Sequence, residues 1–189
     1  MPGTSPLSLA NHFLIAMPGL HDPNFSRTVT LICEHSDQGA MGIIVNRSSP
    51  LTLKDIFEQM EINAESSHHA GAVVHVGGPV HANRGFVLHR PSGAWGSSLA
   101  ITDHLSVSTS RDILEALARN EGPEAYFIAL GYAGWSAGQI EQEIADNAWL
   151  SGPADERILF DLPVEARWAA AAQLLGVDLN SLSGEAGHA

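Results

Sequence analysis

The chain's only cysteine, Cys33, stands two residues before His35 in a β-rich run from Thr28 to His35. A thiol becomes a nucleophile or a redox sensor where cationic or helix N-terminal surroundings lower its pKa and leave it partly exposed. In a regular strand, residues two apart share a face and lie about 6.6 Å from one another. That is too far for a direct thiol to imidazole hydrogen bond unless a bulge intervenes. Val29, Leu31 and Cys33 share a face, so a small core residue is the simpler reading and a reactive thiol the alternative.

Gly134-Trp135-Ser136-Ala137-Gly138 matches G-x-S-x-G between an apolar strand and a helix, the context of a nucleophile elbow. A hydrolase triad in that order needs an acid and a histidine after the serine. Asp146, Asp155 and Asp161 could supply the acid, but His188 is the only histidine after Ser136. The competing reading makes Ser136 the N-cap of a helix over 137–146, in a capping box with Gln139. Gly131-Tyr132-Ala133-Gly134, read as a turn before that helix, could hold an anion on free N–H groups. It has neither a Walker lysine nor G-x-G-x-x-G spacing, so it does not define a nucleotide site. Gly77-Gly78-Pro79 reads as a tight turn.

Histidines 68, 69, 75, 81, 89 and 104 form neither H-E-x-x-H nor any pairing with a C-x-x-C, so no metal site and no cofactor is expected. Thr109-Ser110-Arg111-Asp112 opens a helix. Capping accounts for its hydroxyls and Asp112, while Arg111 is free to anchor a carboxylate, internal or from a partner. Trp135 and Trp149 flank the acidic helix after Ser136. Trp135 could mark a protein-binding edge, but core packing is the stronger reading. His35, Arg111 and Trp135 are thus the candidates for binding a ligand or partner, and Cys33 and Ser136 those for catalysis.

These residues sit in a chain of 189 residues with nine Lys and Arg against 21 Asp and Glu, a net charge of −12. That length suits one domain with a core large enough to stand without disulfides. The charge disfavours sequence-independent nucleic-acid binding. One cysteine, no secretory signal and only strand-sized apolar runs point to a cytoplasmic protein with no membrane segment. Charged residues make up 16% and apolar ones 44%, which leaves room for a self-association surface and a homo-oligomer.

The elements that must position the candidates follow from periodicity. Residues 1–9 read as a disordered tail and 10–189 as a single domain. A strand over 12–17 leads to a hairpin, 28–35 and 40–46, around a Ser36-Asp37-Gln38-Gly39 turn. The second arm is almost wholly apolar, as suits a central strand. Thr52 and Asp55 start a helix with Leu53, Ile56, Phe57 and Met60 on one face. Strands over 72–76, 84–89, 98–101 and 105–108 precede a helix after Ser110. A buried strand over 125–130, the helix over 137–146, a short strand over 157–160, a helix from Pro163 to Gly176 and a helical turn near 179–182 complete the chain. The expected class is α+β: a single domain with a mixed, mainly antiparallel β-sheet flanked by about four helices.

Taken in order, HFLIAMPGLHDPNFSRTV, ICEHSDQGAMGIIVNR, GGPV, RGFVLH, TSRDIL, ALGYAGW, DNAWL and GHA make the chain resemble the YqgE/AlgH family over nearly its whole length. The resemblance implies a bacterial cytoplasmic protein of mixed α/β fold, labelled a transcriptional regulator and without established enzymatic activity. That label implies nucleic-acid contact, against which the charge argues. The preferred expectation is a non-enzymatic regulatory or adaptor protein acting through protein contacts. A thiol sensor or enzyme using Cys33 is the alternative, and a serine hydrolase using Ser136 comes third. Family members usually place proline directly after the Asn-Arg or Asn-Lys pair, whereas here Ser48 and Ser49 delay it to Pro50.

Overall fold

The computed structural model describes residues 8–179. In chain order its elements are β1 (His12–Ala16), β2 (Val29–Ser36), β3 (Gly39–Ile44), β4 (Ser48–Thr52), α1 (Leu53–Gln59), β5 (Val73–Val76), β6 (Val80–Arg90), β7 (Ser98–Ala100) and β8 (Ser106–Ser108). Then come α2 (Arg111–Ala118), β9 (Ala125–Ser136), α3 (Gln139–Ala145), β10 (Trp149–Pro153), α4 (Glu156–Phe160), a 3-10 turn (Val164–Ala166) and α5 (Arg167–Leu174). All but the first residue of the helical turn expected near 179–182, the tail with His188, and residues 1–7 lie outside the described residues.

The fold is α+β. One curled sheet runs β10-β1-β2-β3-β9-β6-β8-β7, with β5 against both β9 and β4. Every pairing is antiparallel except β5 with β9. The β2–β3 hairpin lies inside the sheet between β1 and β9, so its apolar residues are covered on both faces. On one face Leu31, Ile43, Leu88 and Phe127 pack with α4 and α5. On the other, α1 and α2 close over Val74, Val87 and Ile128. A third cluster joins Leu14, Ile32, Trp135 and Trp149 with Ile140 of α3.

Two readings need correction, and two stretches left unassigned prove to be extended. Residues 157–160 are helical, not extended, because Asp155 Oδ1 accepts the Arg157 N–H at 2.8 Å and caps α4. A run as short as Ile158-Leu159-Phe160 does not separate helix from strand by periodicity. Residues 149–153 form edge strand β10, where Pro153 ends the strand and its missing N–H leaves no ladder position empty. Ser48-Ser49-Pro50 belongs to edge strand β4, with an irregularity between Ser48 and Thr52 that accommodates the proline. Finally, β9 does not stop at Leu130. It continues through the glycines to Ser136 and pairs with β3.

Candidate functional site

Cys33 occupies a β-bulge. Ile32 pairs with Gly42 and Glu34 with Met41, leaving Cys33 as the extra residue. A bulge reverses strand parity beyond it. Cys33 therefore stays with Leu31 in the main core, the next residue Glu34 lies beside it on that face, and His35 turns to the opposite face. The expected sharing of a face by Cys33 and His35 is thus undone by one inserted residue. Cys33 is buried, its thiol directed at the Leu31 carbonyl at 3.7 Å. Burial first, and then the Glu34 carboxylate, push its pKa well above the usual thiol range and hold it protonated. His35 has both ring nitrogens engaged. Nδ1 accepts the Leu9 N–H at 2.9 Å, so Nε2 carries the proton and donates to Glu141 of α3 at 2.5 Å.

Ser136 ends β9 rather than capping α3. The N-cap is Gly138, in the left-handed region at φ 76°, which a side chain would strain. Gln139 reaches back as expected, its Oε1 accepting the Ser136 N–H at 3.0 Å and the hydroxyl at 3.2 Å. Ser136 pairs with Gly39, whereas Trp135 pairs with Ala40, which in turn pairs with His35. Directly paired residues share a face, so Ser136 and His35 point to opposite sides. Because β9 runs through Gly131–Gly134, that stretch is not the helix-leading loop on which an anion site depended.

Trp135 is 6% exposed and packs beside Phe25 and Trp149. Its indole N–H and that of Trp149 both donate to Glu143 Oε1, at 3.1 and 2.9 Å. Arg111 donates to the Met60 carbonyl at 2.9 Å and lies 3.7 Å from Glu115. It therefore ties α2 to the end of α1. His89 is buried, with Nδ1 on the Pro91 carbonyl at 2.9 Å. A carbonyl only accepts, so Nε2 accepts from Ser108, whose oxygen in turn takes the Ser98 hydroxyl proton at 2.6 Å. This chain is closed and holds β6, β7 and β8 together. Among the described residues no three His, Cys, Asp or Glu side chains are grouped to hold a metal ion.

The open space lies elsewhere, where β6 meets β9. Between Val80↔Tyr132 and Gly85↔Leu130, β6 advances five residues while β9 advances two. The surplus, His81 to Arg84, swings out into solvent, with His81 in the left-handed region at φ 48°. Beyond Tyr132, β9 has β3 on one side and, among the described residues, no strand on the other. A cleft of about 750 Å³ opens there, lined by Glu34, Met41, His81, Arg84, Tyr132 and Gly134 among others. A Cβ built on Gly134 would meet only Tyr132 Cε2, at 3.5 Å, so the missing side chain leaves floor space in this cleft. A second cavity of about 460 Å³ lies between α1, α2 and β6, and Arg84 and Thr109 line both. The sequence reading missed this junction. Its one visible signal was a short stretch, His81-Ala82-Asn83, directly before the RGFVLH segment that Arg84 opens.

A curled, mainly antiparallel sheet carrying two grooves at a bulged strand junction defines a single-domain α+β protein built around β9. The AlgH-like family model matches residues 13–180, and the chain belongs to that family. It is 59% identical to a UPF0301 protein of Thioalkalivibrio sulfidiphilus over 186 residues, 98% of this chain and 100% of the relative. A UPF0301 protein of Saccharophagus degradans is 58% identical over 183 residues, covering 97% and 90%. The solution structure of the AlgH protein from Pseudomonas aeruginosa superposes with a TM-score of 0.80 at 50% identity, over 100% of both chains. A crystal structure of a Corynebacterium diphtheriae protein shares the fold, with a TM-score of 0.71 at 21% identity over 97% and 94%. No helix among the described residues is long and apolar enough to cross a membrane.

Proposed function

We propose that this is a non-enzymatic regulatory or adaptor protein of the cytoplasm that works through protein contacts, and that its working surface is the cleft beside the free half-edge of β9. The observation that carries the reading is the side of β9 over Gly134–Ser136, which among the described residues has no strand beside it and opens on a cleft of about 750 Å³. An extended segment of a partner can add to such an edge, the main chain supplying affinity and the pockets selectivity. Met41 and Tyr132 offer apolar contact there, while Glu34, His81 and Arg84 offer charge or hydrogen bonds. Direct nucleic-acid binding has less support. The net charge is −12, and Lys54, Arg90, Arg111, Arg119 and Arg157 each already lie within 4.0 Å of a carboxylate.

The test is selection of extended peptides from a random display library against the full chain, followed by titration with amide chemical shifts as readout. Shifts should concentrate on Tyr132 to Ser136 and on Glu34 and Met41. Gly134→Leu, which fills the cleft floor without a clash at Cβ, should weaken the selected peptides at least ten-fold while leaving the melting temperature unchanged. Undiminished binding to that variant, or shifts confined elsewhere, would refute the reading.

A further inference from the structure

The second cavity differs from the first in chemistry. Leu51, Ile56, Val87, Leu114, Ile128 and Leu130 form its wall. Its polar groups come from Gln59, Asn83, Arg84 and Arg111 and from the hydroxyl residues Ser108 to Ser110, and no Asp or Glu lines it. In a chain with net charge −12 and only nine basic side chains, two guanidiniums at one carboxylate-free cavity are a marked local reversal of sign. Arg111 is partly committed, to the Met60 carbonyl and to Glu115. Arg84 makes only a 3.3 Å hydrogen bond to the Thr109 hydroxyl and lies 5.7 Å from the Phe86 ring centre. Among the described residues it has no carboxylate partner.

Nor is the space closed by packing. Gly85 faces Leu130 across the ladder and lines the cavity, and a Cβ built on it meets no atom within 4 Å. A glycine within a strand costs conformational entropy and contributes no packing, so its presence here leaves room that a side chain would fill. The volume falls in the range of small-molecule sites, which pair mostly apolar walls with a few placed polar groups.

We propose that this cavity binds a small anionic amphiphile, a carboxylic acid with an apolar body. Its head lies on Arg84 with help from Arg111, and its body lies against the α1 and α2 side chains. A guanidinium fork matches a planar carboxylate in two parallel hydrogen bonds, which is why a carboxylate is the head chosen. Arg84 also lines the peptide cleft, so the bound acid alters the charge offered there. The binding itself is independent of the partner reading above.

The test uses the full chain and sodium decanoate, followed by amide shifts and calorimetry below the concentration at which the acid forms micelles. Saturable shifts at Ile56, Gly85, Leu114 and the Arg84 side chain are expected. Decanol and decylamine should bind at least ten-fold more weakly, and acetate and inorganic phosphate should leave the apolar residues unshifted. Arg84→Gln should lower decanoate affinity at least ten-fold, and Arg111→Gln by less. Gly85→Val fills the space without a Cβ clash and should abolish binding with the fold intact by circular dichroism. Equal affinity for decanol, unchanged affinity in Arg84→Gln, or no saturable binding would overturn the proposal. So would concentration-dependent shifts of the same amides in protein alone, which would mean that a second copy fills the cavity.

Discussion

Lowering the pH should destabilise this fold through His75. His75 stands on β5 at 8% exposure, its ring stacked on Phe127 with centres 3.9 Å apart. Its Nδ1 lies 3.0 Å from the Ile128 carbonyl and therefore carries the proton of the neutral ring. Burial lowers its pKa from 6.5 to about 4; the Ile128 carbonyl opposes that shift, while the Arg167 charge adds to it. The folded value lies below the unfolded one, so the unfolded chain takes up the proton first. Stability is then complete above pH 6.5 and falls as the pH drops toward 4. Below pH 4 this group adds no further loss.

The fall from 6.5 to about 4 corresponds to about 3 kcal/mol. Residual contact with water brings it nearer 2 kcal/mol. Urea unfolding from pH 7.5 to 4.5, followed by tryptophan fluorescence, measures it. His75→Gln keeps a donor for the Ile128 carbonyl but loses the stacked ring, so it starts lower at pH 7.5, by about 1–2 kcal/mol. Its curve should then converge on that of the parent as the pH falls. His89 shifts in the same direction, mainly through burial, and is present in both proteins, so its effect cancels in the difference. Parallel curves over this range would show that His75 is not held neutral and would refute the reasoning.

Three further outcomes follow from polar groups that are buried or half-buried. Cys33 should resist a thiol reagent in the native protein and react fully after denaturation, and Cys33→Ser should cost about 1–3 kcal/mol in urea unfolding, since it buries a stronger polar group. Arg167 is 6% exposed and donates to the Val45 and Leu162 carbonyls at 2.5 and 3.0 Å. Arg167→Ala orphans both acceptors and should lower stability by about 2–4 kcal/mol, with little rescue by Lys, whose ammonium cannot reproduce the fork. Glu143→Leu removes the shared acceptor of two indoles, and it should lower stability by about 1–3 kcal/mol and alter the tryptophan emission maximum.

The sequence made the frame legible wherever periodicity was long or a cap was local. The hairpin, the face of α1, and the Thr52 start with Asp55 accepting the Thr52 N–H at 2.8 Å all follow from residues close in the chain. What stayed hidden depends on partners far away. Trp149–Pro153 extends because β1 lies beside it, and Gly131–Ser136 extends because β3 does. Glycines that look like a loop in isolation are recruited into a ladder by those neighbours. The bulge at Cys33 is hidden for the same reason, since nothing in Ile32-Cys33-Glu34 marks it until Gly42 and Met41 are set opposite. One unannounced residue was enough to turn the histidine to the opposite face from the cysteine with which it had been expected to share one.

The same kind of event at larger scale produces the two cavities. Five residue steps on β6 against two on β9 cannot be absorbed in a flat ladder, so His81 to Arg84 leave it. The β9 edge beyond Tyr132 has no β6 beside it because β6 starts at Val80, opposite Tyr132, and the surplus residues place Arg84 between the two spaces. A polar loop is the ordinary fate of surplus residues at a strand junction, but this one returns a guanidinium to an apolar wall and is followed at once by Gly85. Packing alone would favour a side chain there, given that a Cβ at Gly85 has nothing within 4 Å. Filling either open glycine therefore separates shape from function. Gly85→Val and Gly134→Leu should each leave the fold intact, yet each should close a different cavity. Loss of decanoate binding in the first with peptide binding retained, and the reverse in the second, would assign the two ligands to separate spaces around one shared arginine.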